Sequence, residues 1–186
     1  PAMRSPASVI AADLDGDGHQ RLVSADEVRR NLALLFQDSP GVFGPVPLVL
    51  DGASLEPFSV TAADLDGDGD QDLISTNIDG DNLTIFFQEL PGFFGNAQLT
   101  LEGGESMARP LSVVAADLDG DGDEDLASAN QTSRNLTVFF QSSPSAQPGL
   151  YPLSGLSYIN EAQLAMAQHV WSIGPKTVNS LRIGFL

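Results

Sequence analysis

Three copies of one pattern about fifty residues long predict an all-β chain built of propeller blades. Two observations carry the prediction. The segment Ser8-Val9-Ile10-Ala11-Ala12-Asp13-Leu14-Asp15-Gly16-Asp17-Gly18 recurs in closely similar form from Ser59 and again from Ser112. Within each copy, short apolar runs of strand length alternate with glycine, proline and aspartate turn signals. Four short strands per unit make one small sheet that buries its faces against its neighbours, which is the arrangement of a propeller blade. A β-sandwich with chance duplication is the competing architecture, and repeat identity across the loops as well as the strands speaks against it.

The second copy shows the order of elements most clearly. An alternating run at residues 59–63 leads into an acidic, glycine-rich loop at 64–72, and a short apolar run follows at 73–76. The next run reads Asn82-Leu83-Thr84-Ile85-Phe86-Phe87-Gln88, matching residues 31–37 and 135–141 in the other copies. Turn signals follow at Ser39-Pro40-Gly41 and Leu90-Pro91-Gly92, and a fourth run occupies 46–50 in the first copy and 97–101 in the second. The third copy loses the Phe-Gly step of Phe43-Gly44 and Phe94-Gly95 and reads Ser145-Ala146-Gln147-Pro148 instead. Three blades are therefore expected within residues 7–150, at about 7–58, 59–111 and 112–153, and residues 154–186 form a separate tail. Helix formers behind Asn160, stopped by Gly174-Pro175, predict a helix over about 160–172 in that tail. The alternative is a hairpin, with strands at 169–173 and 178–185, similar to strands of outer-membrane receptors.

The chain has 186 residues, 42% of them hydrophobic and 18% charged. That is too apolar for a disordered chain and long enough for a substantial core. Its 8 basic and 25 acidic residues give a net charge of −17, which repels nucleic-acid phosphates and anionic membranes. It has no cysteine, which excludes disulfides, zinc–thiolate sites and thiol nucleophiles. No apolar run is long enough for a membrane-spanning helix. The opening Pro1-Ala2-Met3-Arg4-Ser5 lacks a leader pattern, but a chain that starts on proline is read as a mature form or a piece of a longer protein.

More than half of the acids lie in three loops, residues 13–21, 64–72 and 117–125. So many like charges in one folded loop repel unless a cation sits among them. Carboxylates at positions one, three and five converge on one centre, glycine at position six permits the bend, and position nine closes the cage. All-oxygen, flexible, anionic ligation selects calcium over zinc, copper or magnesium. The expected ligands are Asp64, Asp66, Asp68 and Asp72 with the Asp70 carbonyl, and Asp117, Asp119, Asp121 and Asp125 with the Asp123 carbonyl. The first loop offers Asp13, Asp15 and Asp17 but carries His19 at position seven and Arg21 at position nine. Weak or absent binding is expected there, because Arg21 can pair with the aspartates in place of a metal. An EF-hand would need a glutamate at position twelve, where Ser24, Ser75 and Ser128 stand, and flanking helices instead of β-branched runs.

These features, with the approach Ser112-Val113-Val114-Ala115-Ala116-Asp117 and the step Phe94-Gly95, resemble FG-GAP repeats of the VCBS type, the units of the integrin alpha-chain propeller and of many secreted bacterial proteins. The resemblance covers about residues 7–150. It implies blades whose calcium loop joins the first two strands, usually seven to a ring, and an extracellular or cell-surface setting with roles in adhesion, ligand binding or scaffolding. The ligand it implies is a protein or a carbohydrate. Three blades fall short of the four to eight of a closed ring, so further blades of a longer chain, or self-association, are expected to cover the ends. No nucleophile elbow, zinc motif or phosphate loop is present, and His19 and His169 are isolated. The expectation is a non-enzymatic calcium-binding segment. The alternatives are a non-catalytic portion of a larger secreted enzyme or outer-membrane receptor, and a calcium sensor.

Overall fold

The computed structural model describes residues 3–44, 48–51, 56–141, 157–158, 169–173 and 176–180. Three four-stranded antiparallel sheets follow one another along the chain. The first contains β1 (Pro6–Ala12), β2 (Arg21–Asp26) and β3 (Asn31–Leu35). A small hairpin of β4 (Gln37–Ser39) and β5 (Val42–Phe43) intervenes before the sheet's fourth strand, β6 (Leu48–Asp51). The second sheet is a meander of β7 (Pro57–Ala63), β8 (Asp72–Asn77), β9 (Asn82–Leu90) and β10 (Phe93–Glu102). A 3-10 turn at Gly104–Met107 leads to β11 (Pro110–Ala116), β12 (Asp125–Asn130) and β13 (Asn135–Phe139). The fourth strand of the third sheet is β14 (Ser157–Tyr158), which pairs with Thr137 and Val138 and lies past residue 153.

The strands form because their side chains suit two-sided burial. In β8 every residue is buried; Leu73 packs toward the first blade and its neighbour Ile74 toward the third, as the two-residue period of a strand requires. The core is accordingly two layers between blades. One joins Leu14, Val23, Leu32 and Leu34 of the first blade to Val60, Leu73 and Phe86 of the second. The other joins Leu65, Ile74, Leu83 and Ile85 of the second to Val113, Leu126 and Phe139 of the third. The leading strands β1, β7 and β11 lie side by side, as the innermost strands of propeller blades do. Polar ties at the blade entries reinforce the order: Arg30 pairs with Glu56, and Asp81 Oδ1 accepts the Arg109 N–H at 2.7 Å.

The tail corrects one expectation. Residues 169–172, assigned to a helix, lie in strand β15 (His169–Ile173), paired antiparallel with β16 (Lys176–Ser180). The alternative hairpin is the observed form, with its second strand starting two residues earlier than expected. Val170, Trp171, Ile173, Thr177 and Val178 are β-branched or aromatic, and that composition favours strands. Residues 160–168 of the expected helix lie outside the described residues, as do 181–185 of the expected second strand.

Candidate metal centres

Each acidic loop joins the first two strands of its blade, so its last residue starts a central strand. This puts position nine inside the sheet. Arg21, Asp72 and Asp125 are all buried while the loop tips remain exposed. Glycines at positions four and six hold positive φ in every loop, from 70° at Gly16 to 97° at Gly122, a backbone region that a side chain would strain.

In the second loop, single carboxylate oxygens of Asp64, Asp66 and Asp72 lie within 4.8 Å of one another. The third loop brings Asp117, Asp119 and Asp125 together in the same way. Backbone donors shape both cages. Asp64 accepts the N–H groups of Gly67 and Gly69 at 2.8 and 2.9 Å, and Asp117 accepts those of Gly120 and Gly122 at 2.7 and 3.1 Å. Asp68 and Asp121 stand outside the trios; each accepts the N–H two residues on, that of Asp70 at 2.9 Å and of Asp123 at 3.0 Å. The Asp70 and Asp123 side chains are likewise outside the trios.

Asp72 is 0% exposed and accepts Leu65 N–H at 3.0 Å and Gln88 N–H at 2.8 Å. Burial pushes its carboxyl up to about 7 despite these donors, and Asp66 and Asp68 add to the rise. Asp125 repeats the arrangement with Leu118 and Gln141 at 2.9 and 2.8 Å, and burial raises it too. Asp66 and Asp119 are raised by burial and by their carboxylate neighbours. Among the described residues no ion pair reaches either cage. A buried carboxylate without a cation, among further carboxylate oxygens, fits a bound hard cation.

The first loop differs at its centre. Asp13, Asp15 and Asp17 again converge within 4.8 Å, but here the Arg21 guanidinium pairs with two of them, Asp15 and Asp17. Arg21 is 3% exposed, pairs with Asp15, and meets Asp17 at 2.7 Å. It also donates to the His19 carbonyl at 3.0 Å and lies 5.4 Å from the centre of the Phe36 ring. The hydrogen bond from Arg21, together with the His19 N–H, holds Asp17 below the usual carboxylate range. The bond with Asp17 in turn raises Arg21.

Two residues escaped the sequence reading. Gln88 and Gln141 close the buried end of each cage with their N–H groups, and their Oε1 atoms are buried without a partner. Their signal was the glutamine that ends each repeated apolar run, at 37, 88 and 141.

An FG-GAP-like repeat model matches residues 13–75 and again 64–128. No curated protein matches the chain. Among solved structures, the crystal structure of BBS1N in complex with ARL6DN, soaked with lead, is similar at 14% identity and a TM-score of 0.36, covering 97% of this chain and 76% of that one.

Proposed function

Because the chain belongs to the FG-GAP-like repeat family, we propose that it is a non-enzymatic, calcium-stabilised propeller segment with two metal sites, serving adhesion, ligand binding or scaffolding outside the cell or at its surface. One observation carries the reading: Asp72 and Asp125 are buried at the centres of acidic cages with no cationic partner among the described residues, whereas the matching position of the first blade is a cation. Calcium would be held by Asp64, Asp66 and Asp72 in one cage and by Asp117, Asp119 and Asp125 in the other. Asp68 and Asp121, with the carbonyls of Asp70 and Asp123, complete the expected donor sets. The ion would neutralise charge that the loop otherwise sets against itself. Sites of this kind in extracellular modules work with modest affinity where calcium is abundant.

The role is stabilisation and not switching. Each loop connects neighbouring strands of one packed sheet, which has none of the freedom of a helix pair that opens on binding. The protein or carbohydrate ligand would meet the blade loops.

Thermal unfolding with calcium and with a chelator tests the reading. Ligation of the folded state alone adds about 2.7 kcal/mol per site at one hundred times the dissociation constant. The melting temperature should rise by several degrees in calcium, and an unchanged value would overturn the proposal.

A further inference from the structure

The sequence carries eight Asp-Gly steps, the pairing in which a chain most readily reacts with itself. The glycine nitrogen, unhindered by a side chain, attacks the aspartate Cγ; the amide proton and the carboxyl hydroxyl leave as water, and a cyclic succinimide forms. Water then opens either carbonyl and returns aspartate or an isoaspartyl link, in which the main chain runs through the side-chain carboxyl. The nitrogen must be free to attack, so a hydrogen bond on its N–H is a barrier.

Six of the steps lie in the acidic loops, at Asp15, Asp17, Asp66, Asp68, Asp119 and Asp121. Their glycines are exposed, so lack of solvent does not spare them. The aspartate at position one does. Asp13 accepts the Gly16 and Gly18 N–H groups, each at 2.9 Å, as Asp64 accepts those of Gly67 and Gly69 and Asp117 those of Gly120 and Gly122. One carboxylate thus holds both attacking nitrogens of its loop with charge-assisted bonds.

The step Asp79-Gly80 lies in the turn between β8 and β9, with Asp79 exposed. The Gly80 N–H has no acceptor among the described residues. The matching nitrogens of the other blades are held, Arg29 N–H by Asp26 Oδ1 at 2.9 Å and Ser133 N–H by the Ala108 carbonyl at 3.4 Å. In the second blade Asn77 stands in the place of Asp26, and its amide is engaged with Ser75, Asn82 and Thr84 instead. Packing keeps a glycine at 80, because a Cβ there would lie 3.0 Å from Asn82 Nδ2. The Glu56 carboxyl is raised, first by its hydrogen bond with Asp79, although the Arg30 charge opposes the rise. A hydrogen bond between two carboxyls holds a proton, and the neutral carboxyl is the form that releases water.

We propose that Asp79-Gly80 is a site of spontaneous isomerisation to isoaspartate, and that the position-one aspartates guard the six loop steps against the same reaction. The modification adds a methylene to the main chain of a turn that joins two central strands, beside the Arg30 and Glu56 tie between the first two blades. It stands apart from the metal reading, since the guarding hydrogen bonds are made by the chain itself.

Peptide mapping of the full chain after prolonged incubation at neutral pH, with fragmentation that distinguishes the two linkages, tests this in calcium and in chelator. Isoaspartate at Asp79 should accumulate at least about tenfold faster than at any loop step, the factor that one charge-assisted hydrogen bond withholds. Asp64→Ala releases the Gly67 and Gly69 N–H groups, so isomerisation should rise about tenfold at Asp66 and Asp68 and stay unchanged in the third loop. Asp79→Glu keeps the charge but would have to close a larger, slower ring, so methyl uptake by the aged protein from an isoaspartyl methyltransferase should fall. Loop steps that isomerise as fast as Asp79 in either medium overturn the proposal. So does methyl uptake unchanged by Asp79→Glu.

Discussion

In the first blade the Arg21 guanidinium lies between Asp15 and Asp17; in the second blade the same repeat position is Asp72, buried and without a cationic partner among the described residues. The flanking strands and glycine turns are alike in the two loops, but the converging carboxylates are those of positions one, three and five in the first and of one, three and nine in the second. Both loops gather three carboxylates into a few ångströms and must offset their repulsion. The first does so with a cation attached to the chain, covered by Phe36 and fixed by the His19 carbonyl. In the function proposed above, the second and third leave the centre to an ion from solution. On that proposal, one side chain at position nine separates a self-contained blade from two that depend on their medium.

Asp72→Ala should break the second loop most severely. It removes a cage oxygen and leaves the Leu65 and Gln88 N–H groups buried without an acceptor. A loss of about 4 kcal/mol in calcium is expected from two unmet donors and a lost ion, measured by denaturant unfolding. A loss under about 1 kcal/mol would mean that the cage contributes little.

Arg21→Ala is the counterpart in the first loop. It leaves the Asp15 and Asp17 carboxylates without their cation and costs about 3 kcal/mol, at the low end for a broken buried pair because both reach solvent. The comparison also requires that calcium restore part of this loss, since the emptied loop becomes a cage. Stability measured with and without calcium reads both effects, and an Arg21→Ala protein indifferent to calcium would contradict the likeness of the loops.

The metal-free protein should lose stability as pH rises. The Asp72 carboxyl is raised from 3.8 to about 7, so the folded chain keeps a proton that the unfolded chain releases. Its contribution is complete below about pH 4 and is lost as pH climbs through 7, and Asp125 acts in the same direction. Asp17 and Asp26 are lowered, so their contribution is lost at acid pH, below this window. Between pH 5 and 8 the chelated protein should lose about 3 kcal/mol from Asp72, about two pH units at 1.36 kcal/mol each. Calcium, which on the proposed reading binds the ionised carboxylates, should flatten or reverse the slope. Melting curves at both pH values, with chelator and with calcium, check the sign.

The smallest expected effect separates position three from position seven. Asp66→Ala removes a member of the cage trio, whereas Asp70→Ala keeps the backbone carbonyl expected to ligate. Calcium affinity of the second loop should fall at least tenfold, about 1.4 kcal/mol, in the first variant and far less in the second. Equal losses by titration calorimetry would show that charge, and not ligation, governs the loop.

The legible parts of the molecule were those where one local rule acts alone. The alternation of residues 59–63 and the repeated run ending in Phe86-Phe87-Gln88 identify strands because a period of two has no competing interpretation there. The spacing of Asp64, Asp66 and Asp72 announces convergence because the glycine turns between them leave few other paths. What escaped depends on contacts between distant segments. That Gln88 and Gln141 donate to the buried aspartates follows from the register of β8 with β9 and of β12 with β13. The helix expected over 160–172 came from weighing Ala162, Leu164 and Met166 above the strand formers Val170, Trp171 and Ile173, and the pairing of β15 with β16 decides for the latter where the two overlap.

The central claim, that position nine decides which loops take an ion, is tested most directly by counting ions. Native mass spectrometry of the full chain titrated with calcium should show two bound ions in the wild type and three in Arg21→Asp. Three equally tight ions in the wild type would mean that Arg21 does not fill its cage. None at all would mean that the buried acids of the second and third blades hold no calcium.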